Sequence, residues 1–96
     1  MDADLSFLGL LNRGGKLRIG EDALRSRHPA LLLLASDASA NSRKKYLDFA
    51  ASRKVRVCEN HTKIELGSAI GYEELSCILL EDQKAAKAYL AKLSQK

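Results

Sequence analysis

Ninety-six residues, 46% hydrophobic and 29% charged with one Pro and six Gly, make a single soluble globular domain over 1–96. The longest apolar run, Ala30 to Ala35, is six residues, far short of the roughly 20 that span a bilayer; Asp2 and Asp4 stand where a signal peptide carries positive charge. Neither export nor a membrane partner is expected, and a cytoplasmic protein is. The net charge of +4 is lopsided: residues 1–54 hold ten Lys/Arg against six Asp/Glu, residues 55–96 six of each. A one-sided basic surface attracts polyanions, nucleic acid above all, although a merely solvated basic surface is equally compatible with composition.

In chain order, residues 3–15 read as a helix with Leu5, Leu8 and Leu11 on one face, stopped by Gly14-Gly15. KLRIG is a short alternating strand, and EDALRSRH is two helical turns that begin after Gly20 and end before Pro29. ALLLLASD, short and apolar, suits a strand buried on both faces. Residues 38–54 form a helix with Tyr46, Phe49, Ala50 and Arg53 on one side; VRVCEN and ELSCILLE are strands, and residues 82–96 close the chain as a helix. Strict alternation predicts a three-layer α/β/α sandwich around a mixed, roughly four-stranded sheet, with Leu32, Leu34, Val57, Cys77 and Leu79 buried.

The stretch HTKIELGSAIGYEEL is a short helix closed at both ends. Thr62 and Glu65 form a capping box, and Gly71 takes the left-handed position after Ile70. Two residues are at odds with a plain surface helix. Gly67 in its interior costs about 1 kcal/mol relative to Ala, and Lys63 places a cation at the positive end of the helix dipole. A close-packed neighbour would account for Gly67, and a solvated side chain costing a few tenths of a kcal/mol for Lys63.

Catalytic and metal chemistry find little support. RGGK lacks the rest of a phosphate loop, and there is no G-x-G-x-x-G. Cys58 and His61 are three apart, but no second Cys/His pair or orienting acid accompanies them, so neither a metal site nor a nucleophile is expected. Cys58 and Cys77 read as free buried thiols. No cofactor is implied. Arg13, Lys16 and Arg18 border the Gly20 turn in sequence and read as a phosphate-contacting surface; Arg43, Lys44 and Lys45 read as a solvated helix start.

Three ordered blocks, FLGLLNRGGKLRIGEDAL, LLLLASDASANSRKK and TKIELGSAIG, resemble the kink-turn RNA-binding ribosomal-protein superfamily that includes the archaeal protein L-seven-Ae and the eukaryotic protein L-thirty-e, and within it the small bacterial YlxQ branch. The resemblance runs from about Leu5 to about Leu93. It implies an α/β/α sandwich that binds RNA through two neighbouring loops, one at Gly20-Glu21-Asp22-Ala23 and one at Gly71-Tyr72-Glu73-Glu74-Leu75, with Lys63 at a lysine-rich family position.

The chain departs from the family at the second helix. Asp22 and Ala23 replace the usual Asn-Glu pair, and Arg25, Ser26 and Arg27 are the candidates for the lysine one turn on. Asp22 cannot donate to a base edge and Ala23 cannot accept from one. Asp22→Asn with Ala23→Glu is therefore expected to raise kink-turn preference. The reading is a non-enzymatic RNA-binding protein that contacts structured ribosomal or ribosome-associated RNA. Arg13, Lys16, Arg18, Arg25 and Arg27 would serve the backbone, and Gly20, Glu21, Asp22, Lys63, Gly71, Tyr72, Glu73 and Glu74 the loop contacts. Ribosomal or other translation-associated proteins are further partners. The alternative, favoured by the acidic Glu73 and Glu74, is a protein-interaction module that has lost kink-turn binding.

Overall fold

A computed structural model describes residues 3–94. Four helices, α1 (Ala3–Arg13), α2 (Ala40–Arg53), α3 (Lys63–Ala69) and α4 (Gln83–Leu93), alternate with four strands, β1 (Leu17–Ile19), β2 (Leu31–Leu34), β3 (Arg56–Cys58) and β4 (Cys77–Leu80). The sheet order is β1-β4-β2-β3; β4 runs antiparallel to both neighbours, and β3 runs parallel to β2. All eight residues of β2 and β4 are buried, as expected of central strands covered on both faces. On one face α1 packs against α3 and α4; α2 and a 3₁₀ helix, Gly20–Arg25, cover the other. The expected three-layer sandwich is the fold.

Three local expectations are corrected. The segment after Gly20 is one six-residue 3₁₀ helix and not two α-helical turns. Ser26 leaves it in extended conformation, with its hydroxyl donating to Glu81 Oε2 at 2.6 Å. Val57 is only half-buried, because β3 is an outer strand paired with β2 alone. The third helical segment begins at Ala40, where Ser39 caps it by accepting the Ser42 N–H at 3.2 Å, and Ala38 is left to the core.

Cys58 and Cys77 are free and buried. β2 lies between their strands, which sets them two strand spacings apart, about 10 Å, beyond disulfide reach. Burial raises both thiols, that of Cys77 to about 11. The acid partner of His61 that the sequence did not reveal is Asp4, 57 positions away. His61 Nε2 lies 2.5 Å from Asp4 Oδ2, and the Tyr89 hydroxyl donates to the same oxygen at 2.8 Å. All three side chains are buried, which ties α1, the turn before α3 and α4 into one unit.

Burial opposes the charged form of Asp4, but the hydrogen bonds from His61 and Tyr89 outweigh it and hold its carboxyl below the ordinary 3.8. A lowered folded value makes this stabilisation complete at neutral pH and lost as the pH falls through that folded value. Asp4→Asn should therefore lower stability at pH 7 by about 2 kcal/mol. In urea titrations across a pH series, the gap from the parent chain should narrow below the ordinary value of 3.8. An equal gap at every pH would show that the carboxylate charge contributes nothing.

Candidate nucleic-acid interface

Because β4 is antiparallel to β1 and β2, its first residue lies beside the last residues of both: Ile19 pairs with Ile78, and Leu34 with Cys77. The parallel β3 ends at the same side, with Cys58 opposite Leu33. The Gly20 turn, the Ser36–Ser39 turn, the approach to α3 and the 71–76 loop therefore share one edge of the sheet, here the loop edge. Cys77 Sγ lies 3.5 Å from the Gly20 carbonyl oxygen, and the Ser36 N–H donates to the His61 carbonyl at 2.8 Å.

Gly20 turns the chain off β1 at φ +56°, and Gly71 ends α3 at φ +89°, conformations that L side chains avoid. Past Gly71, the Tyr72 N–H donates to the Gly67 carbonyl at 2.8 Å, the long-range bond of a Schellman motif. The loop then doubles back along α3, and the Leu75 N–H reaches the Lys63 carbonyl at 3.0 Å. Gly67 is what admits it. A Cβ at this position would lie 2.6 Å from Glu74 Cα and 2.7 Å from Glu74 N. The neighbour expected for Gly67 is thus the candidate binding loop itself.

The first turn of α3 receives two carboxylates. Asp37 Oδ1 accepts the Lys63 N–H at 2.8 Å, and Glu65 closes the capping box with Thr62 at 2.9 and 3.2 Å. The hydrogen bond from the Thr62 backbone lowers the Glu65 carboxyl. These acids offset the dipole that Lys63 faces, and its half-buried side chain forms no ion pair among the described residues. Ile64, 64% exposed, and Tyr72, 49% exposed, add apolar surface on the same edge.

The remaining expected residues do not all gather here. Glu21 does, held by Lys45 at 3.0 Å, and so do Glu73 and Glu74, both exposed. Asp22 is bound by Arg18 at 3.4 Å, and the same guanidinium holds Glu81 at 2.6 Å, so Arg18 fastens the 3₁₀ helix to the sheet. Arg13 and Lys16 lie at the opposite edge, where Lys16 pairs with Asp82 at 3.2 Å and its carbonyl accepts the Glu81 N–H. Arg27 is also there, because the chain has crossed the sheet between Gly20 and Ala30, whose N–H bonds to Leu80. Arg25 is exposed near the end of this crossing. Ala23 is fully buried, so its side chain offers nothing to a ligand. The expectation that Ala23→Glu would restore a base contact is corrected accordingly: the new carboxylate would enter the core.

Electrostatically the loop edge is acidic. Glu21, Asp22, Asp37 and Glu59 surround the strand ends, and Glu65, Glu73 and Glu74 follow on α3 and its loop, against the cations Arg43, Lys44, Lys45 and Lys63. Arg43 pairs with Glu59. Among the described residues no group of His, Cys, Asp and Glu could hold a metal ion, and no helix is long and apolar enough to cross a membrane.

Residues 8–90 match the ribosomal protein L7Ae/L30e/S12e/Gadd45 family. The RNA-binding protein YlxQ of Bacillus subtilis (strain 168) is 34% identical over 91 residues, which are 91% of this chain and 91% of that protein. A solved structure of a protein with unknown function from Bacillus halodurans C superposes with a TM-score of 0.86 at 30% identity. The superposition covers 99% of this chain and 100% of that one.

Helix propensity alone would make Gly67→Ala stabilising by about 1 kcal/mol. The 2.6 Å approach of Glu74 Cα reverses the sign, and a net loss of about 1–3 kcal/mol is expected. Denaturant titration should show that loss, and hydrogen exchange should show the Tyr72 and Leu75 amides deprotected. Ala23→Glu should be worse, at about 3 kcal/mol or more, because it buries an unpaired carboxylate. A neutral Ala23→Glu would mean that the 3₁₀ helix lifts freely off the sheet.

Proposed function

This chain belongs to the ribosomal protein L7Ae/L30e/S12e/Gadd45 family, and from that membership we propose that it is a non-enzymatic, cytoplasmic protein that binds structured RNA, ribosomal or ribosome-associated, through its loop edge. The observation that carries the proposal is the clasp at Gly67. Helix α3 gives up a side chain so that residues 72–74 can lie on its backbone, beside the Gly20 turn. The result is a rigid double loop that presents backbone, the exposed Tyr72 and Ile64, and the unpaired Lys63 together. An RNA with an extruded base would stack on Tyr72, worth about 1–3 kcal/mol, while a phosphate meets Lys63.

The same edge limits base readout. Asp22 is occupied by Arg18 and Ala23 is buried, so two of the polar contacts that would grip tandem G·A pairs are missing. Each good bidentate base contact is worth about 1–3 kcal/mol, and the loss of two removes two or more decades of discrimination. Recognition then rests on shape and stacking. The carboxylate excess at the loop edge supports a second reading, a protein-interaction module on the same fold that no longer binds a kink-turn.

Gel-shift titrations against a kink-turn RNA and a matched duplex separate these readings. The expected outcome is binding to both RNAs with a preference for the kink-turn of less than about tenfold, and loss of that small preference in Tyr72→Ala. A preference of two or more decades would mean that contacts other than Asp22 and Ala23 read the G·A pairs. Absence of binding to either RNA at low salt would select the protein-interaction reading.

A further inference from the structure

We propose that the opposite edge of the sheet is a second, separate RNA contact, a row of cations that grips phosphate backbone while the loop edge holds another part of the RNA. The inference rests on the RNA-binding reading above and extends it to the edge of the sheet opposite the two loops.

The sheet order that gathers the loops at one edge gathers the strand starts at the other. Lys16 precedes β1, Arg27 lies three residues before Ala30 at the start of β2, and Lys54 and Arg56 open β3, with Arg56 opposite Leu31. Arg13 ends α1 beside Lys16, and Arg53 ends α2 beside Lys54. Six cations therefore share this edge with two carboxylates, Glu81 and Asp82. Both carboxylates are engaged: Glu81 by Arg18 at 2.6 Å and by Ser26 at 2.6 Å, Asp82 by Lys16 at 3.2 Å. Arg13, Arg27, Arg53, Lys54 and Arg56 form no ion pair among the described residues. The loop edge holds four cations against seven carboxylates, so the two edges have opposite charge. The excess positive charge read from the sequence sits at the edge away from the loops.

Two details mark this row as built for an anion. The Arg53 guanidinium donates to the carbonyls of Ser26 at 2.9 Å and Arg27 at 3.3 Å. Bonding to neutral carbonyls fixes Arg53 beside Arg27 without neutralising either. Lys54 ends α2 at φ 57°, the one left-handed non-glycine among the described residues. Glycine is the usual occupant of such a position, and an L residue there costs about 1–2 kcal/mol. A lysine at a site that favours glycine on conformational grounds is accounted for when its ammonium is used. From β1 to β3 the row crosses three strand spacings, about 14 Å, enough to follow consecutive phosphates of one strand. With the molecule measuring 28 × 25 × 23 Å, one short RNA element at the loop edge does not also cover this row, and the chain bridges two RNA segments.

The test uses fluorescence anisotropy with a 20-base-pair RNA duplex at stepped salt concentrations. The variants are Lys54→Gly alone, then combined with Arg27→Gln and Arg56→Gln, and separately Lys63→Gln with Tyr72→Ala at the loop edge. Lys54→Gly relieves the left-handed strain, so its melting temperature should not fall while its duplex affinity does. The triple variant should flatten the slope of log K against log salt by about 2–3 and weaken duplex binding at least tenfold, whereas the loop-edge variant, which removes a single cation, should flatten it by no more than about 1. Unchanged duplex affinity in the triple variant, with binding lost in the loop-edge variant, overturns the second contact and leaves the RNA-binding function standing. Parent protein that binds neither duplex nor kink-turn RNA, yet binds poly-glutamate through this row, overturns both in favour of an acidic protein partner.

Discussion

The antiparallel entry of β4 between β1 and β2 is the constraint on which the molecule depends. Cys77, Ile78, Leu79 and Leu80 have no exposed surface, and they bond to Leu17–Ile19 on one side and Leu31–Leu34 on the other. Burial on both faces demands the centre of the sheet, since a strand so apolar at an outer position would present unsatisfied backbone and wet leucine together. Once β4 is central and reversed, the Gly20 turn and the Gly71 loop must meet at one edge. Lys16 and Arg18 must then face Asp82 and Glu81.

A second constraint shapes the loop edge at finer scale. The 71–75 loop contains few core residues of its own and is held by two backbone hydrogen bonds to α3, at Gly67 and Lys63. Both depend on the missing side chain at Gly67. Helix α3 is only seven residues long, too short to persist without tertiary support, and that support comes from the capping box, Asp37 and the buried Leu66. The Asp4–His61–Tyr89 cluster anchors the turn that leads into it. A stiff loop follows from these ties, and stiffness lowers the ordering entropy lost on binding.

Charge is divided between the two edges more sharply than the total of +4 conveys. The exposed pairs Lys44–Asp48 and Lys45–Glu21 add little stability, because solvent screens them. Each is neutral overall, so the acidic character of one edge and the basic character of the other come from the charges outside these pairs. Such separation orients a polyanion during approach, and salt screens it beyond a Debye length of about 10 Å.

The helices, strands and caps of this chain were legible in the sequence wherever local chemistry dictates them. The Leu5-Leu8-Leu11 spacing, the Thr62–Glu65 box, the Gly71 stop and the apolar runs of β2 and β4 all act within a few residues of themselves. The family blocks carried the sandwich fold, and the misfit of Gly67 pointed to a close neighbour. What the sequence could not disclose depends on strand order. Arg13 and Lys16 stand near Gly20 in the chain but at the far end of β1, and Arg53 meets Arg27 across 26 positions. His61 meets Asp4 across 57, Val57 is half-buried because β3 lies outermost, and Ala23 is lost to the core. Sequence distance measures chain length, whereas charge and burial act through space, and only the packed sheet determines which side chains share an edge.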